Sequence, residues 1–333
     1  MSLATCAAAL RMLCLVGLLA EGSALAYPER PITLVVPAPA GGGADATARA
    51  FGEQLTRRLG QPVLVHNVPG ASGIIAARQV LRAAPDGYTL LVGTTSNLVT
   101  APLSNPSAGY AHTSFAPVAK LVGSPMALAA LAGPGLQSLP ELIERARSAP
   151  RSVSLGIGGS TGFGTLSAAA VMEGAKVDLL TVPYQGAAPA LMGLLGGQVD
   201  LALLPMSAML SQWRDGRIAI IGVLSAKRFP LVATIPTMAE AGLPSAADLE
   251  ISALLVGPPG LDARVVATLN SAVRSALADG SFWAARLAQG ELPGPPMSPN
   301  EVAAFLQAEH ERYRMLMGRA RASRQDGVRS PVK

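Results

Sequence analysis

The segment ITLVVPAPAGGGADATARAFGEQLTRRLG, residues 32–60, joins an apolar run, a glycine-rich loop and an amphipathic pattern. Residues 32–38 are mostly apolar with several β-branched side chains, which predicts a strand. Phe51, Leu55 and Leu59 recur every four residues, which predicts a helix with one apolar face. A strand that leads through glycines into a helix is typical of α/β folds, whose ligands bind at loops of this kind.

Apolar runs of strand length alternate with helical patterns along most of the remaining chain. A first set ends with a predicted strand at 88–94, and a second set occupies 138–226. Because β-α-β-α-β order favours parallel strands with right-handed crossovers, each set predicts its own parallel sheet. Extended segments near 121–132 and 251–258 join the two sets, which predicts two lobes with a ligand cleft between them.

The composition indicates a folded chain with a large apolar core. Half of the 333 residues are hydrophobic and 14% are charged, yet beyond the N-terminus no run approaches the ~18 apolar residues of a membrane-spanning helix. The net charge of +5 comes from the C-terminus, where seven basic residues and one acid follow from Arg312 onward. The remaining chain is close to neutral, so we do not expect the body to bind nucleic acid.

The N-terminus has the pattern of a secretory signal peptide. Arg11 precedes the short apolar segment 12–20, and Ala24-Leu25-Ala26 is a small-x-small cleavage pattern. We therefore expect residues 1–26 to be removed and the mature chain to lie in the periplasm; an uncleaved anchor is the alternative. Cys6 and Cys14 are the only cysteines, so the mature chain would lack disulfides and cysteine-bound metals.

The glycine-rich loops do not match the phosphate-binding motifs. A P-loop requires a lysine after its last glycine, and the loop at 39–45 has only Arg49 nearby. A dinucleotide fingerprint that starts at Gly156 fails because Thr161 occupies the third glycine position. Three scattered histidines and no carboxylate cluster leave no metal site, and we expect no cofactor.

Residues 158–162, GGSTG, match the Gly-x-Ser-x-Gly pattern of serine hydrolases, with Ser160 in the nucleophile position. Such a serine needs a histidine base, and His310 is the histidine that follows it in the chain. His310 falls within a predicted helix rather than a loop, which disfavours catalysis. A hydrolase that uses Ser160 stays an alternative hypothesis, while the favoured interpretation is a binding protein without catalytic residues.

Several predicted loops at the carboxyl ends of strands are rich in Gly, Ser and Thr and lead into helices. Free backbone N–H groups at helix N-termini attract anions, and carboxylates suit them because each oxygen can accept two donors. If these loops converge in one cleft, they form a carboxylate site. Asp45 would repel a bare anion, so we expect it to cap the following helix or to orient a water.

Several motifs resemble the periplasmic substrate-binding receptors of tripartite tricarboxylate transporters, the Bug family. They include YPERPITLVVP (27–37), VPYQG (182–186), GGQVD (196–200) and PTMAEAGLP (236–244), and the resemblance covers nearly the whole mature chain. It implies a two-lobed α/β periplasmic-binding-protein fold of type II, the "Venus flytrap". It also implies capture of a small mono- or dicarboxylate for delivery to a membrane permease, and a monomeric chain.

The resemblance implies a set of ligand-binding positions in both lobes. Those positions are Ala40, Gly42, Gly43, Asp45, Thr94, Ser96, Asn97, Ser160, Thr161, Gly162, Thr165, Tyr184, Gln185 and Pro205. Three residues depart from the family pattern, namely Thr165, Leu204 and Ser252. These departures leave open a larger or more apolar ligand, or a ligand-sensing receptor that acts in signalling.

The predicted organisation has four parts. They are the signal peptide 1–26, a first lobe of 27–126 plus 251–318, a second lobe of 127–250 and a basic tail of 319–333 that is expected to be disordered.

Overall fold

The computed structural model describes residues 27–159, 162–247 and 249–329, with the backbone alone for residues 245 and 319–329. The strands are β1 Ile32–Val36, β2 Val63–Asn67, β3 Thr89–Thr94, β4 Ala116–Leu131, β5 Ser154–Gly158, β6 Leu180–Tyr184, β7 Leu201–Pro205, β8 Ile218–Leu224, β9 Glu250–Gly257 and β10 Leu292–Pro293. The α-helices are α1 Gly43–Leu59, α2 Ile74–Leu81, α3 Ala101–Ser104, α4 Leu139–Ser148, α5 Phe163–Ala175, α6 Ala187–Leu195, α7 Met206–Arg214, α8 Ala263–Leu277, α9 Gly280–Ala288 and α10 Pro299–Arg329. The predicted signal peptide lies outside the described residues.

The strands form one mixed sheet that contains two parallel sets, rather than two separate parallel sheets. The order is β2-β1-β3-β9-β4-β7-β5-β6, and β8 and β10 also pair with β4. β1 is parallel to β2 and β3, and β5 is parallel to β6 and β7, as the β-α-β order predicts. β9 and β4 join the two sets through antiparallel pairing. The predicted strand within 218–226, β8, pairs antiparallel with β4 and does not join the second parallel set.

Strand β4 passes from one set to the other within its own length. Residues 116–125 pair with β9, and residues 126–131 pair with β7 and β8. The second connection lies alongside, because Met126 N donates to the carbonyl oxygen of Leu249, which directly precedes β9. We call the part with β1–β3, β9, β10 and residues 116–125 the first half, and the rest of the sheet the second half. The predicted extended segments therefore correspond to β4 and β9, and the predicted lobe boundaries at 126/127 and 250/251 lie next to this change of half.

The predicted apolar face of α1 packs against the first half. Phe51 and Leu55 are fully buried among β-strand side chains, and the ring of Phe51 meets that of Phe282 edge-on at 4.9 Å between centroids. Burial of such side chains stabilises a fold by roughly 1.5–3 kcal/mol each. The four-residue spacing of Phe51, Leu55 and Leu59 thus fixes which side of α1 meets the sheet, and hence where the N-terminus of α1 lies.

Helices α4 and α10 both begin with the Ser-x-x-Glu sequence that predicts a capping box, and only one of them forms it. At the start of α10, Ser298 N donates to Glu301 Oε2 and Glu301 N donates to Ser298 Oγ, which is the reciprocal arrangement of a capping box. At the start of α4, Glu141 N donates to Ser138 Oγ, but the Glu141 carboxylate accepts from Gln137 N. In α4, the carboxylate of Glu141 therefore binds the residue before the N-cap, Gln137, instead of the N-cap residue Ser138.

Helix α10 packs against elements of both halves. It contacts β4, α5 and the one-turn π-helix Ser96–Thr100, and the buried ring of Tyr313 meets that of Phe163 at 5.4 Å between centroids. The predicted basic tail begins within this helix, whose backbone continues to Arg329.

An ion pair links the two connecting strands and supplies a testable prediction. Lys120 Nζ lies 2.8 Å from Glu250 Oε1, and Ser252 Oγ donates to the same oxygen. Since the two charged side chains are 11% and 28% exposed, we expect Lys120→Met to leave a poorly solvated carboxylate and to lower the free energy of unfolding by about 1–3 kcal/mol. Urea denaturation measures this change.

A matched control for Lys120→Met is available in an exposed pair. Arg314 Nη2 lies 2.8 Å from Glu311 Oε2, and the two side chains are 63% and 45% exposed. Arg314→Met should therefore lower the free energy of unfolding by less than about 1 kcal/mol. Equal losses in the two variants would contradict the structural role of the Lys120–Glu250 pair.

Candidate functional site

Several helices begin after the carboxyl ends of strands without a side-chain cap, and four of them are relevant to the predicted site. Their N-cap residues are Gly42 for α1, Gly162 for α5, Gly186 for α6 and Pro205 for α7. In contrast, α4, α8 and α9 begin at Ser138, Asp262 and Asp279, whose side chains accept from the first turn. Uncapped first turns leave N–H donors and the positive end of the helix dipole for a ligand.

Asp45 holds the loop that precedes α1. Its Oδ2 accepts from Gly41 N at 2.9 Å and from Arg49 Nε at 3.0 Å, and its Oδ1 accepts from Asn67 Nδ2 at 3.0 Å. The predicted capping role is wrong, because the N-cap of α1 is Gly42 and Asp45 reaches back to Gly41 instead. Burial acts to raise the pKa of Asp45, but the hydrogen bonds from Arg49, Gly41 and Asn67 bring it below its usual range.

Asn97 shapes the loop that follows β3. Its Oδ1 accepts from Thr94 N at 2.9 Å, its Nδ2 donates to Thr94 Oγ1 at 3.0 Å, and its carbonyl oxygen accepts from Tyr110 at 2.6 Å. The Asn97 side chain is 5% exposed, so it organises the chain around Thr94 and Ser96. The structure thus brings these predicted residues together, with Asn97 in an internal role.

A turn at residues 70–73 belongs to the same region and was missed in the sequence reasoning. Gly73 has a φ of +86°, and a Cβ there would lie 2.7 Å from the Cβ of Asn97 and 2.9 Å from that of Pro37. A glycine is therefore required where the loops after β1 and β3 meet. The pattern PGASG directly after β2 is the signal that could have indicated this contact.

The two halves approach each other at two places, each of which includes a predicted site residue. A Cβ on Gly162 would lie 3.0 Å from Thr100 Oγ1 and 3.5 Å from Ser96 Oγ. A Cβ on Gly43 would lie 3.8 Å from Ser207 Oγ. The first turn of α1 therefore faces that of α7, and the first turn of α5 faces the π-helix Ser96–Thr100. We call this boundary between the two halves the cleft.

Other predicted residues of the second half differ in their surroundings. Thr165, in the first turn of α5, has a buried hydroxyl with no hydrogen-bond partner among the described residues. The Tyr184 hydroxyl donates to Gln198 Oε1 at 3.4 Å, and its ring packs over Gly193 of α6. Tyr184 therefore contributes its backbone to this region, where its carbonyl oxygen accepts from Gly159 N at 2.8 Å. Ser160 and Thr161 lie outside the described residues.

The remaining predicted positions lie on loops or strand ends. Ala40 and Gln185 are exposed, and Gly42 and Pro205 are half-buried. Pro205 ends β7 and immediately precedes α7, so it lies beside Ser207, which sequence reasoning did not select.

Two of the departures from the family pattern lie away from the cleft surface. Leu204 is fully buried in the core of the second half. Ser252 is fully buried in β9, where its backbone N–H donates to Thr95 Oγ1 at 3.3 Å and its hydroxyl donates to Glu250. Ser252 therefore supports the loop after β3 from behind.

The histidine required by a hydrolase lies against another histidine. The rings of His310 and His112 stack at 4.5 Å between centroids, and His112 Nε2 lies 2.9 Å from Gln307 Oε1. Burial, followed by the neighbouring His112, lowers the pKa of His310. Within the described ranges, no group of three or more His, Cys, Asp or Glu side chains could hold a metal ion.

A surface cavity of about 680 Å³ lies elsewhere, between the start of β4 and helix α8. Pro117, Leu261, Val266 and Arg274 are among its lining residues, and it contains none of the predicted site positions. The cleft between the uncapped helices is therefore the better candidate site.

Comparisons with known proteins identify the family of this chain. Residues 47–321 match the family model of the tripartite tricarboxylate transporter family receptor. The chain is also 33% identical over 301 residues to protein BugT of Bordetella pertussis, which covers 89% of this chain and 91% of BugT. The chain belongs to this receptor family. Its members are solute-binding proteins rather than enzymes, so the hydrolase hypothesis is not retained.

Solved structures of proteins with similar sequences share the fold of this chain. A protein of R. palustris solved with adipate has a TM-score of 0.84 and 32% identity, over 88% of this chain and 98% of that one. MatC from Rhodopseudomonas palustris with bound malate has a TM-score of 0.79 and 32% identity, over 87% and 99%. The periplasmic-binding-protein fold class is thereby confirmed for this receptor. Within the described residues, no helix has the length and hydropathy required to cross a bilayer.

Proposed function

We propose that this receptor closes two lobes over a small mono- or dicarboxylate and delivers it to the membrane permease of a tripartite tricarboxylate transporter. The observation that carries the proposal is the convergence of uncapped helix N-termini from both halves on one cleft, at Gly43 opposite Ser207 and at Gly162 opposite Ser96. Related receptors that have been solved with adipate and malate support a carboxylate ligand.

The chemistry of the cleft favours recognition by neutral donors. Arg49, the first basic residue after the glycine-rich loop in the sequence, is already paired with Asp45. Backbone N–H groups at Gly42–Ala44, together with hydroxyls such as Ser96 and Thr165, would then hold the carboxylate oxygens. Hydrogen bonds to a charged group contribute roughly 1.5–3 kcal/mol each, so a few of them suffice for binding without a countercharge.

The proposed lobes correspond to the two halves of the sheet. The chain crosses between the halves at residues 125/126 and 249/250, and two neighbouring crossings allow a hinge motion that opens and closes the cleft. We further propose that residues 1–26 are removed as a signal peptide, that the mature receptor acts in the periplasm and that it is a monomer. N-terminal sequencing and light scattering of the exported protein test these three points.

A thermal-shift screen of residues 27–333 tests the ligand class. Mono-, di- and tricarboxylates should be compared with their neutral amides, because binding to the folded state raises the melting temperature by mass action. At a ligand concentration about 100 times Kd, we expect one class of acid to stabilise the folded receptor by about 2.7 kcal/mol. The corresponding amide should give no stabilisation. The absence of a shift with every acid would contradict the carboxylate proposal.

A further inference from the structure

We infer that Ser207 is a further ligand-binding residue and that the buried hydroxyl of Ser124 positions it. This inference rests on the proposed function, because it names a residue of the same cleft. Ser207 is the second residue of α7, and its Oγ lies 3.8 Å from the position that a Cβ on Gly43 would take. Ser207 Oγ has no hydrogen-bond partner among the described residues, so it is available to a ligand oxygen held at the N-terminus of α1.

Ser124 connects the two halves at the point where β4 changes partner. Its Oγ donates to the carbonyl oxygen of Gly290 at 3.1 Å and accepts from Ser207 N at 3.1 Å, and the residue is 4% exposed. Both hydrogen-bonding roles of the hydroxyl are therefore used within the protein. Because the Ser124 hydroxyl is buried and binds both groups, it fixes the separation and orientation of the Gly290 carbonyl and the Ser207 N–H.

The two partners of Ser124 belong to different halves. Gly290 lies two residues before β10, which pairs with Val122 and Gly123 in the first half. Ser207 follows β7, which pairs with β4 from Met126 onward in the second half. A hinge motion at residues 125/126 would change the distance between Gly290 and Ser207, so the Ser124 bridge belongs to the arrangement in which Ser207 faces Gly43.

The backbone at Gly290 leaves little room for another arrangement. Its φ is +80°, and a Cβ would lie 2.9 Å from Ser207 Cα and 3.0 Å from Ser207 N. The segment around Gly290 and the first turn of α7 are thus in direct backbone contact, and Ser124 lies beside that contact. The position of the Ser207 hydroxyl in the cleft follows from both interactions.

The test measures the affinity of the full mature receptor for malate and adipate by titration calorimetry. We expect Ser207→Ala to weaken binding of the better of these two acids about tenfold, as for the loss of one hydrogen bond to a charged group. Ser211→Ala is the matched control, since Ser211 lies on the same helix but is exposed, and it should bind with unchanged affinity.

The double variant separates a positioning role from a general loss of stability. Ser124→Ala alone should also weaken binding about tenfold, whereas Ser124→Ala added to Ser207→Ala should have less than a twofold further effect, because the first acts through the second. The inference would be overturned if the losses of affinity in Ser124→Ala and Ser207→Ala added up in the double variant. It would also be overturned if Ser207→Ala bound the acid with wild-type affinity. If the wild type binds neither acid nor any acid of the thermal-shift screen, the carboxylate proposal itself fails, and that result is distinct from the other two. An acid that the screen identifies instead replaces malate and adipate in the same titrations.

Discussion

Replacement of Gly162 by alanine should weaken carboxylate binding about 100-fold, a loss of about 2.7 kcal/mol. Gly162 has φ +90° and ψ −142°, a backbone conformation that only glycine adopts readily. The added Cβ would also lie 3.0 Å from Thr100 Oγ1. Thr100 is fully buried and its hydroxyl donates to the carbonyl oxygen of Ser96 at 3.0 Å, so it cannot turn away without losing that bond. The two halves would then be held apart where Ser96 and the first turn of α5 meet.

Gly133→Ala separates the backbone effect from the effect on the cleft. Gly133 has a φ of +116°, but a Cβ there would have no neighbour within 4 Å. Both variants should lose roughly 1–2 kcal/mol of stability through backbone strain, and only Gly162→Ala should lose affinity. Thermal denaturation and calorimetric titration of both proteins measure the two effects. If Gly162→Ala bound as tightly as Gly133→Ala, the contact with Ser96 and Thr100 would not belong to the ligand-bound form.

Replacement of Asp45 by asparagine should lower the free energy of unfolding by about 2–3 kcal/mol. Every partner of the Asp45 carboxylate is a donor, with Gly41 N and Arg49 Nε on Oδ2 and Asn67 Nδ2 on Oδ1. An amide group in either orientation would therefore place its NH₂ against a donor. Because this network holds the loop before α1, affinity should fall by at least tenfold as well. Urea denaturation and carboxylate titration measure the two losses.

The Asp45 network should also make stability depend on pH. The folded-state pKa of Asp45 lies below its usual range, so its stabilisation is fully present above the unfolded pKa of about 3.9 and is lost as pH falls through the folded value. The difference in stability between wild type and Asp45→Asn should therefore shrink below about pH 3.9. Asp178→Asn is the control, because Asp178 and its partner Arg151 are 55% and 62% exposed and should contribute less than about 1 kcal/mol. A difference that is constant with pH would contradict the assigned role of Asp45.

The local patterns of the sequence predicted many of the strands and helices, and they indicated the chemical type of the site. The four-residue spacing of Phe51, Leu55 and Leu59 predicted α1 and its buried face, and the β-α-β order predicted the parallel pairing of β1 with β2 and β3. Glycines between strands and helices indicated uncapped N-termini and therefore an anion site. Such features depend on neighbours within a few residues, so they can be read from the chain alone.

The tertiary structure decided which residues form the cleft and what each of them does. Asp45 was predicted to cap α1 or to orient a water, but its carboxylate binds Gly41 and Arg49 and also Asn67 of the neighbouring strand. The Tyr184 ring turned towards α6 because Gly193 leaves room for it there. Ser124 meets Ser207 and Gly290 across sequence separations of 83 and 166 residues. Contacts of this kind depend on how β4 passes between the halves and how the helices pack, and no local pattern of side chains encodes those distances.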